Sequence, residues 1–118
     1  MRPSNKLPEV YLCRDAVDFR KGINGLATLV EGELGSDPFS EQLFVFCNRR
    51  GDRVRILYWE RNGFCLWQKR LEKARFQWPQ RESGMVVTLS GQQLNWLLDG
   101  LDVMRMKPHE RLLYRRIS

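Results

Sequence analysis

The chain has 118 residues, 42% hydrophobic and 29% charged, a composition that calls for a packed core without a metal or disulfide staple and excludes intrinsic disorder. Apolar runs such as Leu43 to Cys47 are too short to cross a bilayer, and Met1-Arg2-Pro3-Ser4-Asn5-Lys6 carries no secretory apolar stretch. A cytoplasmic protein with no membrane partner is therefore expected.

The net charge of +6 is unevenly spread: residues 1–47 hold five Lys/Arg against seven Asp/Glu, residues 48–81 ten against three, residues 82–104 three acids alone, and residues 105–118 five bases against one acid. Two basic blocks flanking an acidic one suit a polyanion partner, with a solvated basic face as the alternative.

Glu9 to Cys13 alternates after Pro8 and predicts a short first strand. From Phe19 the apolar positions Phe19, Ile23, Leu26, Val30 and Leu34 recur at helical spacing. Asp15 or Asp18 can cap this helix and Gly35 can end it in a left-handed conformation; Gly22 and Gly25 delay its regular start to about Ile23. Three strands follow: Leu43–Cys47, apolar on both faces, then Val54–Glu60 and Phe64–Leu71. Asn62-Gly63 between the last two is a tight-turn pair, because both residues accept positive φ. Arg75-Phe76-Gln77-Trp78 reads as a short edge strand stopped by Pro79, and Met85–Leu89 as a further strand. Ser90 and Gln93 form a capping-box pattern, opening a short helix through Leu94, Leu97 and Leu98 that stops at Gly100.

The expected architecture is α+β: a single domain over residues 1–104 with an antiparallel meander sheet of four to six strands and two helices packed against it, followed by a basic tail at 105–118. That tail reads either as a frayed helix or as a segment that orders on binding. Core positions should include Leu12, Phe19, Leu26, Val30, Phe44, Phe46, Ile56, Leu66, Leu94 and Leu97.

No catalytic constellation is recognisable. His109 is the single histidine and sits in the basic tail, so nucleophile schemes that need a positioned imidazole, and zinc sites, lack their residues. Cys13, Cys47 and Cys65 include no Cys-x-x-Cys pair and read as reduced, mostly buried thiols. Asp15 and Asp18 could in principle share a metal for phosphoryl transfer, but helix capping explains them without chemistry. No catalytic residue, metal or cofactor is therefore assigned.

The remaining concentration is Arg49, Arg50, Arg53, Arg55, Arg61, Lys69, Arg70, Lys73 and Arg75, interleaved with Tyr58, Trp59, Trp67, Phe76 and Trp78. Arginines neutralise phosphates and aromatic rings stack bases, so this is the candidate nucleic-acid surface. A domain of this size needs its tryptophans largely inside, which leaves the arginines to work outside.

Several motifs carry a resemblance: Asp18-Phe19-Arg20-Lys21-Gly22 with Gly25-Leu26, Phe44-Val45-Phe46, Arg50-Gly51-Asp52-Arg53, Leu57-Tyr58-Trp59, Gly63-Phe64, and Lys69-Arg70-Leu71-Glu72 leading to Phe76-x-Trp78-Pro79. In their order and spacing, over about residues 8 to 102, the chain resembles the TnpB-type accessory protein of the sixty-six family of insertion sequences, not the RNA-guided nucleases that share that label. Glu60 and Gln68 stand where relatives commonly carry Asp and an aromatic. The resemblance implies a small protein needed for transposition beside a separate, larger transposase that holds the catalytic acids. Together with the charge, it leads to the expectation of a non-catalytic accessory that binds duplex DNA with weak sequence preference and assists the transposase. The alternatives are an interaction module that binds the transposase or another element protein without touching DNA and, behind it, a metal-dependent nuclease.

Overall fold

In the computed structural model, which describes residues 9–106, the strand Leu43–Cys47 (β2) is buried at every position. An apolar five-residue run must be covered on both faces, and the other elements do this. β1 (Val10–Cys13) pairs with it in parallel, and β3 (Arg53–Glu60) pairs with its other edge in antiparallel. β4 (Gly63–Arg70) extends the sheet beyond β3, while β5 (Val86–Leu89) pairs antiparallel with β1. The order is β4-β3-β2-β1-β5.

Only β2-β3-β4 is a meander, so the expected all-antiparallel sheet is corrected to a mixed one. The helix α1 (Ile23–Gly32) lies in the crossover between β1 and β2, and a crossover of this length is what joins parallel neighbours. The 75–78 segment is not an edge strand; it is irregular, with Phe76 buried.

The two sheet faces carry separate cores. On one, Leu26 and Val30 of α1 meet Cys13, Phe44, Phe46 and Leu57, with Phe19 and Leu66 half-buried around them. On the other, α2 (Gly91–Leu98) contributes Leu94, Leu97 and Leu98 against Val10, Leu12, Val45, Ile56 and Phe76. β3 alternates with period two, with Val54, Ile56 and Tyr58 on the α2 face and Leu57 on the α1 face. Trp67, Trp78 and Trp96 pack partly buried against the α2-side core.

The capping box is formed: the Gln93 backbone N–H donates to Ser90 Oγ at 3.1 Å and the Ser90 N–H to Gln93 Oε1 at 2.8 Å. Gly35 and Gly100 take positive φ just past the two helices. At α1 the expected aspartate cap is absent, since Gly22 is the N-cap and no side chain bonds there. The β3-β4 hairpin forms with Glu60 opposite Gly63, so the positive φ falls on Arg61 (56°), one place before the expected pair. Residues 103–105 make a short 3₁₀ turn; the rest of the basic tail and His109 lie outside the described residues.

Leu26 and Val30 are fully buried beneath the sheet. Leu26→Ala should lower unfolding free energy by about 2–4 kcal/mol through lost burial and the cavity left, whereas Thr28→Ala, exposed on the same helix, should change it by under about 0.5 kcal/mol. Urea unfolding of both variants measures this.

Candidate nucleic-acid interface

Strand directions gather three connections at one end of the sheet: the one following β1 (14–22), the one between β2 and β3 (48–52), and the one between β4 and β5 (71–85). With the strand-terminal Arg53 and Arg70 they carry ten Lys/Arg against five Asp/Glu. The opposite end, made of residues 33–42 and 60–62, carries Arg61 against Glu33, Asp37, Glu41 and Glu60. The domain is thus polarised along its strands, basic at one end and acidic at the other.

The β2-β3 loop is built from Asn48 outward. Its backbone N–H donates to Arg53 O at 3.1 Å, and its side-chain Oδ1 accepts from the backbone N–H groups of Asp52 (3.1 Å) and Arg53 (3.0 Å). Its Nδ2 donates to Asp52 Oδ1 at 2.7 Å. Gly51, at φ 76°, makes the turn, and its carbonyl accepts from Phe76 N–H at 2.8 Å. Asp52 O accepts from Leu71 N–H at 2.8 Å, so the 71–76 segment is tied to the loop. Trp78 fixes the far side of that segment by donating Nε1 to the carbonyls of Cys13 and Arg14, each at 3.1 Å.

Between the loop and this segment lies a cleft of about 300 Å³, with Arg49, Arg50, Arg75, Gln77, Gln80 and Trp78 among its walls. Arg49, Arg50 and Arg75 are exposed, and their guanidinium groups make no hydrogen bond or ion pair among the described residues. Arg53 stands directly opposite Arg70 on the neighbouring strand, a like-charged pair that costs stability unless an anion lies nearby. Arg70 is partly neutralised by Glu72 at 2.8 Å, and Lys73 is exposed beside it.

Three of the nine expected residues stand apart. Arg55 faces α1, where it donates Nε to Gln68 Oε1 at 2.7 Å and Nη1 to Phe19 O at 2.9 Å, and lies 4.6 Å from the Phe19 ring centre. It holds the β1-α1 connection to the sheet. Lys69 projects on the other face and donates to Leu98 O at 2.7 Å, closing the end of α2. Arg61 is at the acidic end, the length of β3 away, roughly 25 Å. Gln77 and Gln80, which also line the cleft, were not among the expected residues; their segment is irregular, so no periodicity in the sequence marks them.

Asp18 is bound by Arg20 through both carboxylate oxygens, at 2.6 Å for the closest contact, and Asp15 pairs with Arg14 at 3.2 Å. The side-chain bond from Arg20 holds the Asp18 carboxyl well below the usual carboxylate range. The side-chain bond from Asn48 lowers that of Asp52. Burial pushes the Cys13 thiol up to about 11 and the Cys47 thiol up to about 12, so both are poor nucleophiles at neutral pH.

The family described as "IS66 Orf2 like protein" matches residues 8–108. The chain belongs to this family. With it the chain falls among proteins of insertion sequences. Two proteins of Sinorhizobium fredii (strain NBRC 101917 / NGR234), both named only as uncharacterized, are similar to it. One, y4jC, is 38% identical over 105 residues, spanning 89% of this chain and 88% of the relative. The other, y4hO, is 36% identical over 102 residues, spanning 86% and 88%. No solved structure matches. Among the described residues no helix is long and apolar enough to cross a membrane.

Asn48→Ala should cost about 1–2 kcal/mol at neutral pH through the two backbone N–H groups it leaves unpaired. Asp52 binds fewer protons folded than unfolded in the acid range, so its contribution is present above the unfolded carboxylate value of about 4 and is lost as pH falls through its lowered folded value. Removing Asn48 removes the leading cause of that lowering. The stability gap between wild type and variant should therefore narrow on acidification, as measured by urea unfolding at neutral pH and near pH 3.

Proposed function

We propose that the protein is a non-catalytic accessory of transposition that grips duplex DNA by its phosphates at the basic end of the sheet and assists a separate transposase. The observation that carries this is the trio Arg49, Arg50 and Arg75, three exposed guanidinium groups held on a braced loop and the segment tied to it, making no hydrogen bond or ion pair among the described residues. Arg53, Lys73 and Arg70 extend the same end. Arg55, Lys69 and Arg61 leave the proposed surface, the first two because they serve the fold. Insertion-sequence membership supports the process, and the charge polarity supports the mode: a basic end steers the domain onto a polyanion with the acidic end turned away.

A second reading has its own observation. At the acidic end Phe39, 52% exposed, meets Trp59 and Phe64 with ring centres 5.0 and 5.3 Å away, an apolar cluster where a transposase or other element protein could dock. The apolar strand β2 is covered on both faces and offers no surface for such a module.

If about four to six phosphates are neutralised, log K should fall against log salt with a slope near −4 to −5 on duplex DNA. Replacing Arg49 and Arg50 together by Ala should reduce the slope by about two and weaken element-end and unrelated duplexes alike. Arg61→Ala should leave the slope unchanged. Loss confined to element-end DNA would mean that these arginines read bases. With Mg²⁺ or Mn²⁺ the purified protein should leave supercoiled DNA intact; metal-dependent nicking lost in Asp15→Asn or Asp18→Asn would restore the nuclease alternative.

A further inference from the structure

We propose that the cleft beside Arg75 receives one unpaired nucleotide of a DNA strand, so that the protein prefers frayed or overhanging DNA ends to continuous duplex. This rests on the DNA-binding reading above and adds to it the form of DNA that the basic end takes. Phosphate contacts alone need only an exposed loop, and a duplex, far wider than the gap, cannot enter it. The gap of about 300 Å³ is instead at the lower limit of pockets that hold small organic ligands. Its walls carry two kinds of group a nucleotide uses. Arg49, Arg50 and Arg75 supply cations for the phosphate. Gln77 and Gln80 supply two exposed primary amides without a side-chain partner among the described residues, each able to donate to and accept from a base edge. Trp78 lines the same cleft half-buried, its Nε1 held by two hydrogen bonds, and so fixes the wall that carries Gln77 and Gln80.

The cleft is also preformed. One wall is the loop braced by Asn48, and the other is anchored to it by the Phe76 N–H to Gly51 O bond and to the end of β1 through Trp78. A ligand entering it therefore orders little of the protein, which favours tight binding of a small group.

Fluorescence anisotropy with two labelled duplexes of equal phosphate number, one blunt and one ending in a short unpaired overhang, tests the proposal. The overhang should bind on the order of tenfold tighter, the scale of one well hydrogen-bonded base. Gln77→Ala/Gln80→Ala, both exposed and thus compatible with folding, should bring overhang affinity down to the blunt value, while Asn95→Ala, exposed on α2, should keep the preference. Thermal unfolding of each variant verifies its fold. Equal, salt-sensitive binding of both duplexes would overturn this inference and leave the phosphate-binding reading standing. Absence of any DNA binding would overturn both. A preference surviving in the double variant would also overturn it, as would displacement of the overhang by micromolar free deoxynucleoside monophosphate, which would make the cleft a mononucleotide site.

Discussion

Everything in this domain follows from having to cover both faces of one apolar strand. β2 is buried along its whole length, and no single layer can cover it. α1 covers one face with Leu26 and Val30; α2 and the buried Phe76 cover the other. Because the two faces are taken by the core, the polar and charged connections are left at the two ends of the strands. Packing thus puts the connections at the two ends, and the residues they carry make one end basic and the other acidic.

What separates a binding surface from a basic surface is the fate of each cation. Arg20 is held by Asp18, Arg55 by Gln68 and the Phe19 carbonyl, and Lys69 by the end of α2. Those groups do structural work, and their charge is already met by an anion or a carbonyl. Arg49, Arg50 and Arg75 are set on backbone that is fixed by hydrogen bonds, yet their own side chains are left without such contacts among the described residues. A rigid support under cations whose hydrogen-bond donors are still available lowers the entropy lost when an anion arrives. The opposition of Arg53 and Arg70 is partly offset inside the chain, by Glu72 on Arg70 and by Asp52 near Arg53.

The sequence was legible where local chemistry dominates. The helix with its regular start near Ile23 and the Ser90–Gln93 box appear in the structure where the residues put them, although Phe19 and Leu34, at the ends of the helical spacing, lie outside α1. The sheet order was less legible, because strand pairing is decided by which faces need covering and not by any one segment's pattern. The crossover helix between β1 and β2 held the parallel signal. The 75–78 segment has strand-like residues, yet Phe76 is drawn into the core and its backbone bonds to a loop. Charge density marked the stretch of sequence that forms the basic end. It could not tell Arg55 or Lys69 from Arg49, because partners such as the carbonyls of Phe19 and Leu98 are remote in the chain.

The central claim is that the basic end, with its cleft, is the surface that meets DNA. Backbone amide chemical-shift mapping by NMR during titration with an unlabelled duplex bearing an overhang tests it most directly. The account predicts that perturbed amides gather at 48–53 and 70–80 and spare the turn at 61–62 and the Phe39–Trp59–Phe64 cluster. Perturbations centred on that cluster, or none at the basic end under saturating DNA, would contradict it.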